Sequence, residues 1–138
     1  VSIKNQYRKE DIGLWGNVPD YEIYYYFIQI AEALLFENGI LSYIIPNTYL
    51  FNNFAKNYRL NILERWNVLE ILDCTKFKIF ESATVFNTIN TWQKNKKGTL
   101  EGIGYRKTSG ITSFNELLNT PQLFLKKDDL LKVLLYYL

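Results

Sequence analysis

The chain has 138 residues, 48% of them apolar and 17% aromatic, which suits one packed domain or a large piece of one and excludes a disordered chain. Net charge is +2 from 16 basic and 14 acidic residues, a balance that neither demands nucleic acid nor excludes it, since a local patch can hide in it. With no histidine and a single cysteine, Cys74, the chain holds no Ser-His or Cys-His nucleophile pair, no histidine metal site and no internal disulfide.

Residues 1–19 mix polar side chains with Gly13, Gly16 and Pro19 and read as loop. The start is neither a signal peptide nor a natural Met start, so the chain reads as part of something longer. From Asp20, a plausible N-cap, Ile23, Phe27, Ile30, Ala31, Leu34 and Leu35 recur at helical spacing, with Glu22 in the first turn. Tyr24, Tyr25 and Tyr26 point to different sides of such a helix, so at most two can be buried. Asn38-Gly39 ends it, with Gly39 as the expected left-handed residue.

The run 40–45 is nearly all apolar and closes at Pro46. It reads as a strand buried on both faces, as in a parallel sheet. Its expected neighbour lies before Val1. An edge left open there invites self-association or cover by a terminal segment. Asn47 or Thr48 then caps a second helix with Leu50, Phe51, Phe54, Tyr58, Ile62, Leu63 and Trp66 as its apolar positions. Residues 68–73 make another strand, completing a right-handed βαβ crossover.

Residues 83–92 alternate, with Val85, Ile89 and Thr91 on one side and Thr84, Phe86, Thr88, Asn90 and Trp92 on the other. Only about ten residues separate this strand from the last, too few for a helical crossover, so antiparallel pairing is expected. Lys94, Lys96 and Lys97 mark a charged turn, with Arg106 and Lys107 soon after. Such a run is ordinarily a solvated turn, and phosphate contact is the sharper reading. Residues 100–105 suit a short strand, 107–110 a loop and 113–118 a short capped helix. Pro121 breaks the path, and 127–137 form a last helix with Asp128 and Asp129 in its first turn. No run approaches the roughly 20 apolar residues of a membrane helix. The lone cysteine suits a cytoplasmic setting.

Two segments carry a resemblance. EIYYYFIQIAEALLFENGILSYIIPNTYL, from Glu22 to Leu50, resembles the block after the Asn-Pro-Pro-Tyr motif in adenine-specific DNA methyltransferases. The branch is that of combined restriction–methylation enzymes and related phage-defence methylases. VLEILDCTKFKIFESATVFNTINTW, from Val68 to Trp92, resembles the block that closes their catalytic domain. The ordered string of helix, Asn-Gly, strand, Ile-Pro-Asn, helix, strand, Phe-Glu-x-Ala-Thr and strand carries the likeness over residues 20–93.

The resemblance implies an α/β fold: part of a Rossmann-like S-adenosylmethionine-dependent methyltransferase sheet whose terminal strand inserts antiparallel. Residues 1–93 would be the C-terminal half of the catalytic domain. Residues 94–138 would be a linker and helical extension, or the start of a target-recognition region. The family methylates the exocyclic amino group of adenine in DNA with S-adenosylmethionine, on a base extruded from the duplex. The intact parent would be a cytoplasmic restriction-modification enzyme acting on DNA, with or without a nuclease domain. Neither Asn-Pro-Pro-Tyr nor the glycine-rich cofactor loop occurs here. No catalytic residue is therefore carried over, and the isolated chain is expected to be inactive.

Phe80 matches the family's aromatic that stacks on the flipped adenine, a contact of about 1–3 kcal/mol per base. Its bland alternative is a core phenylalanine at a strand entrance. Phe27 matches an aromatic near the cofactor's adenine, yet its helical spacing also suits the core. Asn47 follows a strand end, where open α/β sheets place ligand groups, and an ordinary N-cap is the competing reading. Asp73 also ends a strand but has no assigned role, and Cys74 reads as a small buried apolar residue. Two other functions compete. A non-catalytic DNA-binding or target-recognition module would bind DNA with steep salt dependence. A structural α/β assembly domain would bury Phe80 and have no cleft at its strand ends.

Overall fold

A computed structural model describes residues 22–136. The expected loop over 1–19 and the Asp20 cap lie outside them. In chain order come helix α1 (Tyr24–Leu34), strand β1 (Ile40–Pro46), helix α2 (Lys56–Arg65), strands β2 (Trp66–Asp73), β3 (Asn87–Lys94) and β4 (Gly102–Lys107), helix α3 (Phe114–Leu118), strand β5 (Leu123–Lys126) and helix α4 (Lys127–Tyr136). The strands form one five-stranded sheet in the order β1-β3-β2-β4-β5. β3 is antiparallel to both of its neighbours, so Ile89 lies between Ile44 and Leu72. β1 and β2 therefore run in parallel without touching. β4 runs parallel to β2, and β5 turns back against β4. This is the expected α/β class with a late antiparallel strand wedged among parallel ones. No helix among the described residues is long and apolar enough to cross a membrane.

The core centres on Trp66, Trp92, Tyr25, Ile28 and Val68. The Trp66 and Trp92 rings lie 6.0 Å apart, and the Tyr25 ring meets Tyr58 at 4.4 Å. Tyr58 also donates from its hydroxyl to the Tyr25 carbonyl at 2.9 Å. As expected, two of the three adjacent tyrosines are buried, Tyr24 and Tyr25, while Tyr26 is half-buried.

Several expectations need correction. α1 buries Tyr24, Tyr25, Ile28 and Ala31, whereas Ile23, Phe27, Ile30 and Leu34 of the expected stripe are exposed. Apolar side chains occupy more than one side of this helix, so periodicity identifies the helix without identifying its inner face. The left-handed residue is Asn38, at φ 67°, not Gly39. Asn tolerates that conformation, and Gly39 serves close approach instead: a Cβ there would lie 2.9 Å from the Phe36 carbonyl oxygen.

β1 is not buried on both faces. Leu41 and Ile45 are buried and Ile40 and Ile44 exposed, because the strand stands at the margin of the described sheet. The single long helix expected after it is broken. Two 3-10 turns, Asn47–Leu50 and Asn53–Ala55, precede α2, and Trp66 opens β2. Arg59 fastens this irregular stretch by donating to the carbonyls of Tyr49 at 2.8 Å and Asn52 at 2.7 Å. β3 begins at Asn87, later than expected; Thr88, Asn90 and Trp92 share one side, as the alternation predicts, and that side is the buried one. β5 has no counterpart in the sequence reading. It is only four residues long and leaves Leu123 and Phe124 exposed.

Candidate functional site

β1, β2 and β4 share one direction, so their C-terminal ends line one edge of the sheet. That edge is where open α/β sheets bind ligands. Asn47 follows β1 there, Asp73 ends β2, Thr108 follows β4, and β3 enters at Asn87. The loop 74–86 spans this edge and carries Phe80.

A chain of hydrogen bonds stitches the strand ends together. Asn47, only 6% exposed, donates from Nδ2 to the Thr75 hydroxyl at 2.8 Å. That hydroxyl donates onward to Oδ1 of Asp73, which also accepts the Thr75 backbone N–H at 2.9 Å. Oδ2 of Asp73 accepts from the Tyr105 hydroxyl at 2.7 Å. The Asp73 carbonyl takes both the N–H and the hydroxyl of Thr108, each at 2.9 Å. The backbone N–H of Asn47 reaches the Phe86 carbonyl at 3.0 Å, and that of Cys74 reaches the Asn87 carbonyl at 3.0 Å. Both ends of the loop are thereby tied to the sheet.

Burial, together with the Asp73 carboxylate, pushes the Tyr105 phenol well above its usual range, so it remains a proton donor to Asp73. Burial pushes the Cys74 thiol up to about 11, again with Asp73 adding to the effect. The thiol stays protonated, as suits the buried apolar role read from the sequence.

Within the loop, the Phe77 N–H donates to the Cys74 carbonyl at 3.0 Å, and the Phe77 ring meets Phe114 edge-on at 5.2 Å. The Ala83 N–H donates to the Phe80 carbonyl at 3.2 Å, so Phe80 opens a tight turn. Its side chain is not sealed in a core: Phe80 is 48% exposed. Phe27 is 49% exposed, so the core reading fails for it too. α1 starts near the same edge, where the Thr48 hydroxyl donates to Glu22 at 3.2 Å and lies 3.4 Å from the Tyr24 hydroxyl. Asn47 is not an N-cap. The cap position of the turn that follows β1 is Pro46, and the Asn47 amide bonds Thr75 instead.

The basic turn read from the sequence lies at the opposite end of the sheet, because Lys94 ends β3, which enters at the Phe80 edge. Lys94 itself serves the fold. Its Nζ donates to the carbonyls of Glu32 at 2.6 Å and Leu35 at 2.7 Å, at the C-terminus of α1. The Asp73–Thr75 pairing had no role in the sequence reading. Its available signal is Asp-x-Thr at a strand end, the pattern of a side chain bonding the backbone two residues on. An apolar cavity of about 160 Å³ sits under α2, lined by Arg59, Val68, Ile71, Trp92, Ile103 and Leu130 among others. No residue of the 74–86 loop lines it, so it is a gap in the core packing distinct from the strand-end edge.

A family model described as Eco57I restriction-modification methylase matches residues 2–80, more than half of the chain. Among solved structures, the type IIG restriction endonuclease BpuSI matches with TM-score 0.62 and 17% identity, over 95% of this chain and 18% of its own. A chain from a type I R-M system, solved for its complex assembly and conformational transition, matches with TM-score 0.56 and 16% identity, over 74% of this chain and 23% of its own. A modification subunit assigned to a type I restriction enzyme from Vibrio vulnificus YJ016 matches with TM-score 0.56 and 17% identity, over 83% of this chain and 31% of its own. The chain thus spans between 18% and 31% of the length of these proteins. At such identities the likeness is one of fold: the Rossmann-like sheet of restriction-modification methyltransferases.

Proposed function

Because the chain belongs to the Eco57I restriction-modification methylase family, we propose that residues 1–93 form the second half of the catalytic domain of a DNA methyltransferase. Its target is the exocyclic amino group of adenine. Residues 94–138 extend it toward target recognition. The parent acts on DNA in the cytoplasm, and this chain alone does not methylate.

The observation that carries this reading is the half-exposed Phe80 ring on a loop pinned across the C-terminal strand ends. A phenylalanine there offers an extruded base a flat apolar face. Stacking on it contributes about 1–3 kcal/mol. The ring has no ionisable group, so it orients the base without altering the protonation of the amino group. The Asn47–Thr75–Asp73–Tyr105 chain keeps the loop from shifting as the base arrives. A purely structural α/β domain would bury Phe80, so its exposure counts against that alternative.

S-adenosylmethionine supplies the methyl group when bound. Of the residues here, Phe27 fits the cofactor's adenine, because its ring is half open on a helix that begins near the strand-end edge. Asn47 fits less well as a ligand group, since it is buried and its amide is engaged by Thr75. The outer side of β1 has no partner strand among the described residues. The remainder of the catalytic sheet belongs there, and in the isolated chain this edge either pairs with a second copy or is covered by a terminal segment. Sedimentation showing a monomer at high concentration, with the edge bare, would contradict that point.

The decisive experiment is transfer of a labelled methyl group from S-adenosylmethionine to adenine in DNA by the intact parent. Phe80→Ala should lower kcat/KM roughly ten- to a hundredfold, while Phe80→Trp keeps most of it. Equal rates for Phe80→Ala and the unaltered enzyme would refute the stacking role.

A further inference from the structure

We propose that Lys76 and Lys78 grip the DNA backbone phosphates flanking the nucleotide that rests on Phe80. The inference builds on the base-stacking reading above and adds a second ligand chemistry to the same loop. Exposure alternates along it: Lys76, Lys78 and Phe80 are exposed, while Phe77 and Ile79 are half-buried. Two cations and a ring therefore project from alternate positions of one short segment. Two residues of chain span at most about 7 Å, so the Lys78 ammonium is within reach of a phosphate next to a base on Phe80.

The segment is also braced. Thr75, just before Lys76, is held by Asn47 and Asp73, and Phe77, between the two lysines, packs on Phe114. A long cationic side chain on a braced segment suits a phosphate contact, because less backbone freedom is left to lose when DNA arrives.

Five other cations of the fold are occupied. Arg59 holds two carbonyls, Arg65 pairs with Glu32, Arg106 pairs with Glu70, Lys94 caps α1 and Lys127 donates to the Thr99 carbonyl. Lys76 and Lys78 make no ion pair and no side-chain hydrogen bond among the described residues. Lys107, also exposed, ends β4 at the same edge. By contrast, Lys96 and Lys97 follow β3 at the far edge.

Salt dependence separates phosphate contacts from stacking. Each phosphate neutralised on a single strand contributes about 0.7 to the slope of log K against log salt. The 138-residue chain is titrated with a fluorescein-labelled single-stranded oligonucleotide at several salt concentrations. Lys76→Ala/Lys78→Ala should flatten the slope by about 1.4. Lys76→Arg/Lys78→Arg should restore it, and Lys96→Ala/Lys97→Ala should leave it unchanged. Phe80→Ala should weaken binding by a similar factor at every salt concentration, with the slope kept.

The outcomes are distinct. A flattened slope in the lysine variant, with Phe80→Ala binding normally, supports the phosphate grip and removes the stacking. A Phe80 effect with an unchanged lysine slope overturns the inference and leaves the stacking in place. No binding by the unaltered chain at the lowest salt overturns the inference as well.

Discussion

Thr75→Val removes one hydroxyl on which the strand-end network turns. Valine keeps most of the shape but deletes the oxygen that accepts from Asn47 at 2.8 Å and donates to Asp73. Two costs follow. The buried Asn47 amide loses its partner, a penalty of about 1–3 kcal/mol, and Asp73 loses a charge-assisted bond of about 1.5–3 kcal/mol. The backbone N–H of Thr75 and the Tyr105 hydroxyl still serve Asp73, and Thr75 is only half-buried, so water replaces part of the loss. The expected total is about 2–3 kcal/mol. Urea unfolding should show the midpoint falling with little change in slope. Amide exchange over residues 74–86 should quicken. Asn47→Ala combined with Thr75→Val should show a coupling of about 1 kcal/mol or more. A loss below about 0.5 kcal/mol, the scale of an uninvolved surface change, or strict additivity with Asn47→Ala, would refute the reasoning.

Lys94→Met should cost about 1–2 kcal/mol and speed amide exchange in the last turn of α1, because two carbonyls lose a cationic donor. Gly98 has φ +69°, and a Cβ there would sit 2.3 Å from the Leu63 carbonyl oxygen. Gly98→Ala should therefore cost more than the roughly 1–2 kcal/mol of left-handed backbone alone, and an unchanged melting temperature would contradict the close approach. The Cys74 thiol has a folded pKa of about 11, raised by burial, against about 8.5 when unfolded. Its contribution to stability is fully present below about pH 8.5 and is lost as pH rises through about 11. Cys74→Ala should flatten that alkaline fall, and the native thiol should resist iodoacetamide near neutral pH.

The α/β class was legible because helical periods and short apolar runs alternate along the chain. The antiparallel insertion of β3 was legible from the short span after Asp73, which leaves no room for a crossover helix. The Ser113 cap was also readable, and its hydroxyl accepts the Glu116 N–H at 3.3 Å. What escaped is phase rather than period. In α1 the stripe Ile23-Phe27-Ile30-Leu34 is as regular as the buried one, and only tertiary contact with Tyr58 decides between them. β1 looked doubly buried because two of its three exposed members, Ile40 and Ile44, are isoleucines. At the candidate site, Phe80 stood out as a bulky ring in a polar turn. Thr75 and Asp73 did not, because their type is that of any turn. Lys76 and Lys78 were overshadowed by the denser run at 94–97, whose first member is committed to capping a helix.

The wedge position of β3 also dictates how the sheet comes into being. β1 and β2 share no ladder, and each finds its antiparallel partner only in residues 87–94. A nascent chain that has emerged only as far as Asp73 holds two strands with nothing between them, and zippering must wait for the last inserted one. Closure is then a long-range event that joins Ile40 to Gln93, so assembly is slow relative to a helical bundle of equal size. A stop codon anywhere before Asn87 would leave a translation product lacking the one strand that pairs with both β1 and β2.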